Sequence, residues 1–216
     1  MKRLLFVAFA IISLSACIPS YVATGVITTE YVAFEGNVDA LVVSCGFDVV
    51  LDKSVPEGKV VVTTHKDIMK HLEIYAEDEK LYIGLEGPRK CVTQQLEAHI
   101  SPDGINSFIA SGDSEIYGHF HRDGDISVVA SGDSDIELSG RCKGVAVIVS
   151  GGSSVDLSEL QAEVVVAEAS GGSELDVYAT SALEIKASGG AEVEYKGTPA
   201  ILDIKKSGMA TINMAD

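Results

Sequence analysis

A Ser-Gly step recurs along the second half of this 216-residue chain. It appears as "IASGDSEIYG" from Ile109 and "VASGDSDIELSG" from Val129, then as "IVSGGSSVDLS", "EASGGSELDV", "KASGGAEVEYKG" and "KKSGMATINM". The serines are Ser111, Ser131, Ser150, Ser170, Ser188 and Ser207, separated by 20, 19, 20, 18 and 19 residues. A near-fixed period marks a stacked repeat, in which each unit buries its apolar face only against its neighbours.

Aligned on their serines, the copies form columns that alternate as a strand requires. Five, three and one residues before the serine stand Asn106, Ile126, Val145, Val165, Leu183 and Leu202; Phe108, Val128, Val147, Ala167, Ile185 and Ile204; and Ala110, Ala130, Val149, Ala169, Ala187 and Lys206. Three, five and seven residues after it stand Ser114, Ser134, Ser153, Ser173, Ala191 and Ala210; Ile116, Ile136, Val155, Leu175, Val193 and Ile212; and Gly118, Leu138, Leu157, Val177, Tyr195 and Met214. These columns face inward from two strands. The glycine after each serine permits a positive φ, and therefore a sharp corner, without a Cβ clash. Two short strands per 18–20-residue coil, with like residues recurring in register, predict an all-β fold: a parallel β-helix, or solenoid, whose regular coils run over about residues 106–214. A propeller blade needs about twice this period.

One further copy, "LVVSCGFDVVL", aligns on Ser44, with Leu41, Val43, Phe47, Val49 and Leu51 inward and Cys45 in the corner place. Ser44 lies 67 residues before Ser111, which is no clean multiple of the period. The amino-terminal β part must therefore be less regular. Strands are predicted in "GKVVVTTH", "HLEIYAEDEKLYIGLEG" and "QLEAHISP", with one helical turn over Asp67 to His71.

The chain opens "MKRLLFVAFAIISLSAC": two basic residues, a short apolar run and small residues before a cysteine. This has the form of a secretory signal, and its run is too short for a membrane span. Leu14-Ser15-Ala16-Cys17 resembles the lipobox of bacterial lipoproteins, which makes residues 1–16 a signal peptide and lipidated Cys17 the membrane anchor. Residues 17–29 then form a tether and 30–216 a single β-helical domain. Loss of Lys2 and Arg3 leaves 14 basic against 32 acidic side chains, a net charge of −18. That charge speaks against nucleic acid as a partner. The remaining Cys45, Cys91 and Cys142 have the spacing of neither a metal site nor a disulfide framework. The residues after Cys17, "IPSYVATG", carry no acidic run of the kind associated with surface export, which points to the periplasmic face of the outer membrane.

With its Ser-Gly-Gly corners and the opening "NVDALVVSCGFDVVLDKS", departing only at Cys45, the sequence resembles the bacterial family of putative auto-transporter adhesin head domains, GIN type, frequent in Bacteroidetes. The resemblance covers roughly residues 30–214. It implies a parallel β-helix on the cell envelope with an adhesin-like role toward an envelope protein or glycan. It brings no catalytic residues.

The competing expectation is a β-helical enzyme acting on polysaccharide, which needs carboxylates beside a basic group. Arg141 and Lys143 flank a turn near the acidic coil residues, and His119 and His121 have the i, i+2 spacing of two ligands on one side of a strand. No third ligand adjoins the histidines. A serine present in every coil is a structural unit rather than a nucleophile. The expectation is therefore no catalytic, cofactor or metal site, and two candidate interaction faces. Ile109, Val129 and Ile148 stack outward before the corner, as a stripe that segment 52–105 or a second subunit would cover. Glu137, Asp156 and Asp176 belong to a double file of carboxylates after the corner, a solubility face or one bridged by calcium or a basic partner. Lys205 and Lys206 guard the edge of the last coil.

Overall fold

The computed structural model describes residues 21–86, 91–92 and 95–215. In chain order the strands are β1 (Tyr21–Val22), β2 (Ile27–Ala33), β3 (Ala40–Val43), β4 (Asp48–Leu51) and β5 (Lys59–His65), then the helical turn α1 (Lys66–Met69). There follow β6 (Leu72–Glu77), β7 (Lys80–Leu85), β8 (Cys91–Val92), β9 (Leu96–Ile100), β10 (Ser107–Ser111), β11 (Glu115–His121) and β12 (Asp125–Ser131). The last are β13 (Asp135–Gly151), β14 (Ser154–Gly171), β15 (Glu174–Ala187), β16 (Glu192–Lys196), β17 (Ile201–Lys206) and β18 (Thr211–Met214). The signal region and Cys17 lie outside the described residues.

The solenoid is present as the columns predict. Strands before the corner stack in parallel as β7, β3, β10, β12 and the second halves of β13, β14 and β15, ending in β17. Strands after the corner stack as β9, β4, β11 and the first halves of β13, β14 and β15, ending in β16 and β18. Strands β13, β14 and β15 run through the bend opposite the serine corners, so the two faces are one sheet folded on itself. The uneven repeat length is absorbed at that bend. Paired residues of β13 and β14 are offset by 19 up to Glu137↔Asp156 and by 20 from Gly140↔Leu160. Those of β14 and β15 are offset by 20 up to Leu157↔Val177 and by 18 from Val164↔Ala182. The serine corners and both core-lining strands thus keep register while the bend takes up insertions and deletions.

Each corner glycine adopts a positive φ, from +66° at Gly112 to +85° at Gly132. The corners stack tightly: the Gly132 carbonyl accepts the Gly152 N–H at 2.8 Å, and the Gly151 carbonyl accepts the Gly172 N–H at 2.8 Å. Behind them the serine column is buried, and in the Ser134 coil it satisfies the turn's own backbone. The Ser134 hydroxyl lies 3.1 Å from the Ser131 carbonyl and 3.2 Å from that of Ala110, and accepts the Ser131 N–H.

The coil around Ser44 stacks directly on the coil around Ser111, with Val43 beside Ala110 and Asp48 beside Glu115. Its predicted inward residues are all buried, and Cys45 takes the left-handed conformation at φ +68°. The excursion between them closes the stack. Hairpin β6–β7 ends one face, and antiparallel β5 and β2 follow β9 on the other. Ile68 of α1 is buried in the same core, and the Asp67 carboxylate accepts the Thr24 and Gly25 N–H groups.

In the last coil Leu202, Ile204, Lys206 and Met214, all expected inward, are exposed because no further coil stacks on them among the described residues, and two earlier inward places also differ. Asn106 is exposed, because the turn from Pro102 delivers Ile105 to the core instead. Gly118 leaves its place to Leu51 of the neighbouring coil, whose Cβ would lie 2.5 Å from any Cβ there. Cys45 and Cys142 are free thiols, and burial pushes the Cys142 thiol up to about 11.

Candidate functional site

Alternate residues of the strands after each corner point outward, and in-register parallel pairing stacks like on like at about 4.8 Å per rung. Two files result. One runs Glu97, Asp48, Glu115, Asp135, Ser154, Glu174, Glu192, Thr211; the other runs His99, Val50, Tyr117, Glu137, Asp156, Asp176, Glu194, Asn213. Glu137, Asp156 and Asp176 are three successive rungs of the second file. The first rung, Glu97 and His99, escapes sequence reading because β9 belongs to no repeat, whereas Asp48 stands four residues after Ser44 as Glu115 does after Ser111.

Crowding of like charge leaves its mark. The Asp176 carboxyl is raised to about 6, first by burial and then by Asp156, Glu194 and Glu174, with Lys196 partly opposing. Glu115 is raised by burial and by Asp48 and Asp135, and Asp48 by burial and by Glu97. At the end of the file His99 lies between two carboxylates, with Nε2 2.5 Å from Glu97 and Nδ1 3.4 Å from Asp52. Hydrogen bonds from Ser54, and then His99, lower the Asp52 carboxyl.

Where the strands reach the bend, a groove of about 540 Å³ crosses the files, lined by Glu137, Asp156 and Glu159 together with His119, Arg141 and Gln161. Arg141 donates to the Gln161 side-chain oxygen at 3.2 Å, and His119 Nδ1 lies 3.2 Å from the Ser139 hydroxyl. A second trough, about 360 Å³, holds Glu115, Tyr117, Asp135, Glu137, Ser154 and Asp156. Exposed carboxylates, a guanidinium and amide and hydroxyl groups in one shallow groove suit hydrogen bonding to a hydroxyl-rich or cationic ligand. Among the described residues no three His, Cys, Asp or Glu side chains converge as a metal-ligand set. His119 and His121 both point outward from β11 around buried Phe120, and His121 lies 3.5 Å from Asp123. Arg141 and Lys143 are exposed.

On the other face Ile109, Val129 and Ile148 occupy successive outward rungs. Ile109 and Val129 are half-buried among neighbouring rungs, and Ile148 is 50% exposed. Strands β6 and β7, from the segment expected to lie over them, extend the same sheet instead. Through Val42 they lengthen the stripe with Tyr82 and Tyr75, whose rings stack at 4.9 Å. Two serine files flank the stripe, with Ser127 donating to Ser107 at 2.8 Å.

Parallel coils in register, presenting the same outward chemistry rung after rung, define a β-solenoid built to display long ordered faces. The chain belongs to the family described as putative auto-transporter adhesin, head GIN domain, whose model matches residues 37–199. In fold it is similar to a putative adhesin from Bacteroides fragilis NCTC 9343, with TM-score 0.72 at 15% identity over 90% of this chain and 100% of that one. A putative adhesin from Parabacteroides merdae ATCC 43184 is similar at TM-score 0.51 and 13% identity over 91% of this chain and 99% of that one. Comparison with curated proteins gave no match.

Proposed function

We propose that the chain is a non-enzymatic, lipid-anchored lipoprotein of the outer membrane, on its periplasmic face, whose solenoid serves as an adhesin-like binding module for an envelope protein or glycan. The observation that carries this reading is the outward chemistry of the face after the corners. Carboxylates recur on nearly every rung and the groove beside Arg141 crosses them, an arrangement matched to a ligand that itself repeats. A reaction centre needs a unique constellation, whereas a recognition surface gains from repetition through many weak contacts. Membership of the adhesin-head family supports the binding role. The form of residues 1–17 supports the anchor.

Purified protein incubated with cell-wall and host glycans is expected to retain them without releasing any small product. Release of a defined oligosaccharide would establish the polysaccharide-acting enzyme instead. On intact cells the domain is expected to resist added protease until the outer membrane is permeabilised. Cys17→Ser is expected to abolish lipid labelling and shift the protein to the aqueous fraction; persistence in the membrane would remove the anchor from the proposal.

A further inference from the structure

The two ends of the stack are unlike. At the end built from β2, β5, β6 and α1 the core is capped by buried Ile68 with Val32, Leu72 and Ile74 packed against it, although β2 and β6 each pair with a single strand. At the other, among the described residues, β17 pairs only with β15 and β18 only with β16. No residue of β17 is buried: Leu202 and Ile204, which the columns point inward, are 49% and 37% exposed, and Met214 of β18 is 58% exposed. We propose that a second copy of this chain closes this end, with β17 against β17 and β18 against β18 about a twofold axis perpendicular to the stack.

The sequence of β17 is self-complementary in that arrangement. A strand meeting its own copy across such an axis pairs antiparallel. With Ile204 on the axis, Asp203 faces Lys205 of the second copy, Lys205 faces Asp203 of the second copy, and Ile204 faces itself. Within one chain Asp203 and Lys205 already contact each other at 2.8 Å, so pairing exchanges partners and creates no new charge. Leu202 comes to face Lys206 of the second copy, whose aliphatic stem covers it.

Electrostatics allow closure at this end. Both carboxylate files stop before it, at Thr211 and Asn213, and β18 carries no charged residue. Two copies of a strongly acidic chain meet here without opposing carboxylate files.

The test uses the full chain extracted in detergent. Ile204→Cys is expected to yield an oxidised species of twice the chain mass on a non-reducing gel, absent from the parent with its native cysteines. Adding Asp203→Lys places Lys opposite Lys and should reduce that species at least tenfold. Adding Lys205→Asp to the pair re-creates complementarity and should restore it. Sedimentation of the unsubstituted chain is expected to show a dimer that Asp203→Lys alone dissociates. A parent that sediments as a monomer, a ladder of higher multimers, or a double charge swap that fails to restore the dimer would each overturn the proposal.

Discussion

The buried serine column shows how a single hydroxyl is judged by its partners. Ser134 answers turn groups on both sides, whereas Ser173, equally buried, has no hydrogen-bond partner for its hydroxyl. Removing a satisfied buried hydroxyl strands its partners; removing an unsatisfied one does not. Ser134→Ala should therefore cost about 1–2 kcal/mol in urea unfolding and Ser173→Ala about zero or slightly less, the substitution the chain itself makes at Ala191 and Ala210. Asp176 gives a second prediction at this scale. Its folded carboxyl titrates at about 6 and its unfolded one near the ordinary carboxylate value of roughly 3.9. Between those values the folded protein holds the extra proton, so stability falls as pH rises from about 4 to 6 and is flat above. Asp176→Asn should raise the melting temperature at pH 7, and its advantage should vanish below pH 4. Equal curves at both pH values would contradict the crowding of Asp176 by its neighbours.

Among elements, the corner is where two adjacent glycines part company. A Cβ on Gly151, at φ +81°, would stand 2.6 Å from the Gly132 carbonyl oxygen, whereas one on Gly152 would meet the movable Asp133 side chain. Gly151→Ala is expected to cost at least about 2 kcal/mol and Gly152→Ala well under half of that, read from chemical denaturation midpoints. This contrast was half legible: the sequence column shows a glycine at all six corners from Ser111 onward, but not which contact makes it indispensable. The inward columns, the Ser44 copy and the helical turn were likewise readable, because each is a local pattern of period two or of fixed spacing. The partners of β5, β6 and β9 were not, since nothing in "GKVVVTTH" or "HLEIYAEDEKLYIGLEG" records that β5 and β6 turn antiparallel, and nothing in "QLEAHISP" that β9 stacks in parallel on β4. For the same reason Glu97 and His99 could not be placed at the head of the acidic files, and the tyrosine extension of the apolar stripe could not be read at all.

For the whole molecule, the acidic flank sets a salt dependence. Unit charges about 4.8 Å apart repel by roughly 0.9 kcal/mol in water, less with added salt. Replacing Glu137, Asp156 and Asp176 with Thr should therefore raise the melting temperature by a few degrees at low ionic strength and by much less at high. With no convergent ligand set among the described residues, calcium at constant ionic strength should shift parent and variant alike; a rise confined to the parent would reveal a bound cation. The stacking of the Ser44 coil on the Ser111 coil bears on the order in which the molecule comes into being. Coils from Ser111 onward each close over about one period, but the Ser44 coil must close over 67 residues, which costs roughly 1 kcal/mol more in chain entropy. Pulse-labelled hydrogen exchange during refolding should accordingly find β12 to β15 protected before β3 and β4. A chain made from its amino terminus thus produces its first coil early with only β7 and β9 to pair with, so the other edges of β3 and β4 stay open until residues 107–121 have emerged, an interval in which a holding chaperone has something to hold.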